Sequence, residues 1–234
     1  MVQILPGVYL VNGFPYGRHQ NGYLVKTSCG LILVDSGDME DESFDTVERA
    51  LKLWGFDVRS VSHLFVTHAH FDHSSHAATF RSMGTAIVAS QDTADAMAAA
   101  DDRCIGYAMA RRFEPCQTDV VIHDDETVDV GGVAVRGIAA PGHARGLMVF
   151  EVIVAGQRLW FCGDLLKVGT ECESVELGWP GGPDYDRPVY LETLRRLAHM
   201  ECDTLLPGHG PPGIGLGSRL IQMVYTKAMV EWPR

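Results

Sequence analysis

Three short runs near the N-terminus, GVYLV (7–11), GYLVK (22–26) and GLILVDSG (30–37), are rich in β-formers and separated by turn residues, which predicts strands. The spacing changes in EDESFDTVERALKLWG (40–55). There Phe44, Val47, Leu51 and Trp54 recur at helical intervals, acids fill the first turn and Gly55 suits a C-cap, so a helix is predicted. VSHLFVTHAH (61–70) predicts an apolar strand ending in polar residues, HSSHAATFRSMG (73–84) a helix, and TAIVAS (85–90) another strand. The middle of the chain returns to strands in DVVI, ETVDV, VAVRGIAA, LMVFEVIVA and RLWFCGD, with glycines between them that suggest hairpins. RPVYLETLRRLAHM (187–200) predicts a helix, DTLLPGHG (203–210) a strand into a turn, and 213–230 a last helix. Residues 91–116 are rich in Ala and Met, break near Asp101 and Asp102, and predict one or two helices that either pack on the body or cover a site. Strands and helices therefore alternate through two similar halves, each with about five strands. That order predicts two sheets covered by helices, an α/β fold of the αββα four-layer sandwich type. No linker, repeat or low-complexity stretch interrupts it, so residues 1–234 read as one domain with 91–116 as a helical insertion.

Composition adds exclusions. The 234 residues are 46% hydrophobic and 21% charged, an ordinary globular balance with ample material for a core. A net charge of −11 argues against a nucleic-acid partner, because phosphate backbones call for a basic face. The Arg-Arg pairs at 111–112 and 195–196 are too short to supply one and are expected on solvated helix faces. The six cysteines, Cys29, Cys104, Cys116, Cys162, Cys172 and Cys202, form no CxxC pair and suit reduced thiols in a cytoplasmic protein. The opening MVQILPGVYLVNG lacks the basic region and cleavable apolar core of a signal peptide, and no apolar run approaches the ~20 residues that span a bilayer. A small-molecule substrate is expected, with no nucleic acid and no membrane; a homo-oligomer is compatible with all of this.

The dense chemistry lies in THAHFDHSSH (67–76), four histidines and one aspartate in ten residues. In extended chain, residues i and i+2 point the same way, so His68 and His70 can grip one metal ion. Asp72 and His73, at the turn into the next helix, point elsewhere and can grip a second. Each ion needs further ligands, about four in all for zinc. Three candidates stand at predicted strand ends beside glycine: His143 in APGHARG, Asp164 in FCGDLL and His209 in LLPGHGPP. Polar residues on loops held by a rigid scaffold are the usual layout of a site.

The series THAHFDH, PGH, GD, PGH, in that order, resembles the metallo-β-lactamase-fold superfamily, and the likeness runs from the early hairpin to His209. The resemblance implies His68, His70 and His143 as ligands of one ion, Asp72, His73 and His209 as ligands of the other, and Asp164 as the carboxylate bridging both. It also implies that Asp35, in VDSG, supports the ligand loop without touching metal. His76 matches no ligand position, and His63, His123 and His199 belong to no constellation. Two divalent ions, zinc by expectation and iron or manganese by the same N/O ligand set, would share a hydroxide. The implied activity is hydrolysis of a small ester, thioester or lactone, with Asp72 passing a proton to the leaving group. Tyr16 and His19, with Phe14, lie in a loop that overhangs the site in relatives and are candidate substrate contacts. Lys167, three residues after Asp164, resembles a lysine that binds a substrate carboxylate in some β-lactamases, and favours an anionic substrate. Tyr185, Trp179 and Tyr190 are further candidates for the pocket wall. Competing readings are a mononuclear-iron dioxygenase of sulfur compounds, a β-lactamase-like amide hydrolase, and a binder that keeps the fold without the reaction. The intact set of seven residues argues against the last.

Overall fold

The computed structural model describes residues 2–232, without the side chains of Phe14 and Asp41. Seven strands form the first sheet, in chain order: β1 (Val2–Leu5), β2 (Val8–Asn12), β3 (Gly22–Lys26), β4 (Leu31–Val34), β5 (Val61–Phe65), β6 (Ala86–Ala89) and β7 (Val120–Val121). The pairs from β1 to β4 are antiparallel; those from β4 to β7 are parallel, with helices in the crossovers. The second sheet runs β12 (Val175–Leu177), β11 (Gln157–Val168), β10 (Met148–Val154), β9 (Val133–Ala139), β8 (Thr127–Val130), and β13 (Thr204–His209) pairs parallel to β11. Helices α1 (Asp41–Leu53), α2 (Phe71–Ser74), α3 (Ala77–Ser82) and α4 (Gln91–Ala99) follow strands of the first half, and α5 (Arg187–Leu197) and α6 (Gly217–Glu231) those of the second.

Side-chain alternation explains the four layers. In β4, Ile32 and Val34 join the apolar core between the sheets, while Leu31 and Leu33 join the core under α1 and α3. In β10 and β11, Phe150, Val152, Leu159 and Phe161 face the first sheet, while Val149, Trp160 and Cys162 face α5 and α6. Each strand is thus buried on both sides, which is why these runs read as nearly continuous apolar sequence. Truncating a fully buried residue of this middle layer such as Phe150 costs about 3–5 kcal/mol. The molecule is the αββα sandwich that the sequence pattern predicts.

The details differ in instructive ways. The sheets have seven and six strands rather than about five each: the short edge strands β1 and β12 are not marked by local pattern, and the strand predicted in DVVI, grouped in sequence with those of the second half, pairs with β6 as β7 of the first sheet. The strand predicted over 61–70 stops at Phe65, and 66–70 is freed for the ligand loop. The helix predicted over 73–84 is broken into α2 and α3, with His76 outside helical geometry at φ −95° and ψ 11°. Arg111 and Arg112 sit exposed in a loop, not on a helix; Arg111 donates to the Met39 carbonyl. Residues 91–116 hold α4 and two 3-10 turns, Asp102–Cys104 and Gly106–Met109. All six cysteines are unpaired.

Candidate metal centre

The polar cluster lies where strands of both sheets end. β4 runs into Asp35, β5 into the loop carrying His68 and His70, and β9 into the turn carrying His143; Asp164 and His209 sit in β11 and at the end of β13. The β11–β13 ladder shifts register between Phe161 and Gly163, and again between Gly163 and Lys167, so Asp164 stands at an irregularity in an otherwise regular strand. Such breaks re-aim a side chain. Two glycines are required by close approach. A Cβ on Gly142 would lie 2.3 Å from the Cα of Tyr190, so only glycine lets the His143 turn lie on α5. A Cβ on Gly208 would lie 2.5 Å from both Asp164 Oδ1 and His73 Cε1.

The seven residues fall into two groups. One ligand atom from each of His68, His70 and His143 lies within 4.8 Å of the others, and the same holds for Asp72, His73, Asp164 and His209. His70 Nδ1 and His143 Nε2 face one another at 3.1 Å. In the second group His209 Nε2 is 3.1 Å from Asp72 Oδ2, and His73 Nε2 is 3.1 Å from Asp164 Oδ1. Asp164 belongs to both: Oδ1 faces His73 and His209, while Oδ2 is 3.6 Å from His143 Nε2. His68 Nε2 is buried and completes no hydrogen bond, while His73 Nε2 and Asp164 Oδ1, equally buried, face one another. A buried ring nitrogen without a partner, beside converging carboxylates, is costly unless a cation joins them. This nitrogen and oxygen set therefore fits divalent metal ions.

The supporting contacts fix which nitrogen of each ring faces inward. Asp35, at φ 60°, accepts from the Thr67 backbone N–H at 2.8 Å, from Thr67 Oγ1 at 2.9 Å and from His73 Nδ1 at 2.8 Å. Thr67 Oγ1, its proton committed to Asp35, accepts from His68 Nδ1 at 3.1 Å. One carboxylate thus leaves Nε2 of His68 and Nε2 of His73 free as ligand atoms, as carboxylate partners of metal-binding histidines commonly do. His209 Nδ1 donates to the His19 carbonyl at 2.9 Å, with the same result.

The two groups differ electrically. Burial lowers His68 well below the ordinary imidazole range and brings His70 and His143 down to about 4. Burial acts the same way on His73 and His209, but there carboxylates outweigh it. Asp72 and Asp164 lift His73 well above its usual value, and Asp164 with Asp72 lifts His209 to about 10. Burial raises Asp72, yet the charge on His73 and the contact with His209 take it down to about 2; Asp164 is lowered by His209 and His73 in the same manner. Near neutral pH the first group is three neutral rings and the second is two imidazoliums against two carboxylates.

Other expected site residues are more dispersed. A cavity of about 570 Å³ opens over His70, Asp72, His143, Asp164 and His209. Lys167 and Trp179 line it, but the Lys167 ammonium lies 3.5 Å from the Glu176 carboxylate, so the cation expected to meet a substrate carboxylate already has a partner. His19 lines a smaller cavity of about 290 Å³ that reaches Asp72 from the other side. Tyr16 is not brought to either cavity: its hydroxyl donates to the Leu10 carbonyl at 2.8 Å and its ring packs on the core. The Phe14 side chain lies outside the described part. Tyr190 is fully buried and accepts from the Gly178 N–H at 3.0 Å, which makes it support for the loop after β12 rather than cavity wall. Tyr185 packs edge-on to Tyr190. His76 ties the ligand helix to the 36–40 loop, its N–H donating to Ser36 Oγ at 3.1 Å. His123 and His199 are exposed, and His63 contacts Ser62 Oγ. Thr67 and Phe71 were not picked out by the sequence pattern, although their places beside His68 and Asp72 in the densest motif of the chain were a signal.

The model of the metallo-beta-lactamase superfamily matches residues 15–209, and the chain belongs to that superfamily. It is similar to the atrochrysone carboxyl ACP thioesterase of Emericella nidulans, 27% identical over 209 residues, 89% of this chain and 57% of that protein. Thioesterase pkgB of the same fungus is 26% identical over 211 residues, 90% of this chain and 52% of that protein. The chain thus spans little more than half the length of the curated relatives it matches. Among solved structures, a metallo-beta-lactamase family protein from Thermus thermophilus superposes with a TM-score of 0.77 at 22% identity, covering 97% of this chain and 81% of that one. A Cronobacter sakazakii metallo-beta-lactamase gives a TM-score of 0.72 at 26% identity, covering 89% and 77%. No helix among the described residues is long and apolar enough to cross a membrane.

Proposed function

We propose that this protein is a metal-dependent hydrolase of thioesters and related small esters or lactones. His68, His70 and His143 would hold one divalent ion, Asp72, His73 and His209 a second, and Asp164 would bridge them; zinc is the first choice of metal. The observation that carries this reading is the division of Asp164, with Oδ1 turned to the second group and Oδ2 to the first. Two such ions supply a Lewis acid for a carbonyl and a water made acidic enough to react near neutral pH. The protein's own part is to hold the ligand rings in one orientation through Asp35, Thr67 and the His19 carbonyl, and to present Asp72 to both cavities. The Asp72 carboxylate is suited to carry a proton towards the leaving group. In the net reaction water adds across the acyl–sulfur or acyl–oxygen bond: the acyl carbon takes the hydroxyl, and the departing atom takes the proton. Fungal relatives whose names specify thioesterases support a thioester among the candidate bonds. Six unpaired cysteines suit a reducing compartment, and a cytoplasmic location is part of the same proposal.

One experiment separates the readings. Purified protein is analysed for metals and then assayed on thioesters, esters, lactones and β-lactams. About two metal ions per chain are expected, together with thioester hydrolysis that His68→Ala abolishes. A single tightly held iron, oxygen uptake with a persulfide and no hydrolysis would instead establish the dioxygenase reading. Turnover confined to β-lactams would establish the amide-hydrolase reading.

A further inference from the structure

The cavity over the ligand groups is chemically two-sided. Its floor is polar, whereas Ile105, Ala108, Leu166, Leu177 and Trp179 give it an apolar wall. Lys167 and Glu176 stand at its edge as an ion pair, and so bring no net charge to it. Part of that wall comes from the 105–109 stretch and from the loop after β12, neither of which supplies a candidate metal ligand. Trp179 is 53% exposed, and Tyr107, beside Ala108, is 57% exposed. Large aromatics left in water at a cavity mouth mark a binding surface. The Trp179 indole is laid back on its own loop: a Cβ on Gly181 would meet its ring carbons at 1.9 Å. Ile105 is buried, yet holds a left-handed backbone at φ 53°, where a β-branched residue is a genuine outlier. Outliers of this kind concentrate at ligand sites, and this one puts its side chain on the cavity wall. Across Phe71 and Asp72, which border both spaces, the smaller cavity offers Arg18, His19, Asp38 and Glu40 instead. A polar leaving group finds hydrogen-bond partners there, which leaves the apolar side to the acyl group.

Resting on the hydrolase reading, we propose that the larger cavity is an acyl pocket selecting apolar acyl groups longer than acetyl, with Trp179 and Ile105 setting the accepted size. The test uses the zinc-loaded full chain and neutral N-acetylcysteamine thioesters of acetate, butyrate and hexanoate. kcat/KM is expected to rise at least about tenfold from acetyl to hexanoyl as methylenes leave water. Trp179→Ala should remove most of that gain, lowering kcat/KM for hexanoyl more than for acetyl, because the lost contact is beyond the carbonyl. Ala108→Phe, which narrows the mouth, should depress hexanoyl turnover more than acetyl. A second readout needs no turnover. In the metal-free protein hexanamide should perturb tryptophan fluorescence at lower concentration than acetamide, with Trp179→Phe as the blank. Rates independent of chain length, or Trp179→Ala lowering all three substrates equally, would overturn the proposal. If no thioester is hydrolysed but hexanamide still binds in preference, the hydrolase reading fails and the apolar pocket stands. No preference in either assay removes the pocket as well.

Discussion

Replacing Asp35 by Asn changes one side-chain atom and inverts the hydrogen-bond polarity beneath both ligand groups. Asn is among the residues that tolerate a left-handed backbone, so φ 60° is kept and the perturbation stays local. The amide oxygen can still accept from the Thr67 N–H. The amide NH₂ then faces Thr67 Oγ1 and His73 Nδ1, which both donate in the native protein. Thr67 can adapt only by accepting from Asn and donating to His68 Nδ1, and this moves the His68 proton to Nε2, the ligand atom. His73 Nδ1 meets a donor and must likewise give up its proton there. Losing one such support costs about 10–100-fold in metal affinity, and here one substitution disturbs a ligand of each group, so the upper end, about a hundredfold, is expected. The metal-free protein should also lose about 1.5–3 kcal/mol, the worth of a charge-assisted hydrogen bond at a buried site. Competition with a chromogenic zinc chelator measures the first quantity and denaturant unfolding the second. An affinity within about threefold of wild type, in a variant with unchanged circular dichroism, would refute the tautomer relay.

Three more outcomes follow from the geometry. The His70 and His143 pKa values of about 4 mean that the first group binds metal near pH 7 without releasing protons, and weakens only as pH falls towards 4. His73 and His209 are protonated, so filling the second group should release up to about two protons and tighten as pH rises; calorimetry in buffers of differing ionisation enthalpy reads this, and equal proton release at both steps would contradict it. Gly208→Ala drives a methyl to 2.5 Å from Asp164 Oδ1 and His73 Cε1, and elemental analysis should find roughly one ion per folded chain instead of two. Tyr190→Phe leaves the Gly178 N–H without its acceptor in a buried place, at a cost of about 1–3 kcal/mol and a Tm lower by a few degrees in a thermal scan.

What was legible in the sequence is what local pattern encodes. Apolar runs alternating with helical spacing predict two sheets covered by helices, and the polar residues of 67–76, 143 and 209 stand where strands end, whereas Asp164, expected at a strand end, lies within β11, which continues to Val168. What was not legible depends on distant partners. β13 joins β11 in parallel across the 35 residues between Val168 and Thr204, and its irregular register aims Asp164. Tyr16 sits in a loop that sequence places over the site, but a carbonyl six residues away captures its hydroxyl. His19 was chosen for its ring, while its backbone carbonyl makes the contact with His209. The pairing of Lys167, expected to meet a substrate carboxylate, with Glu176 could not be read locally, because Glu176 lies on the neighbouring strand β12.

Every candidate ligand group draws on both sheets. His68, His70, Asp72 and His73 follow strands of the first, whereas His143, Asp164 and His209 belong to the second. The first sheet ends with β7 at Val121 and the second begins with β8 at Thr127, so the chain passes between them once in this stretch. Cut there, each fragment would own an incomplete claw for either ion. A cation would then act as a clasp between two separately translated pieces, and its affinity would be counted in how tightly those pieces hold each other.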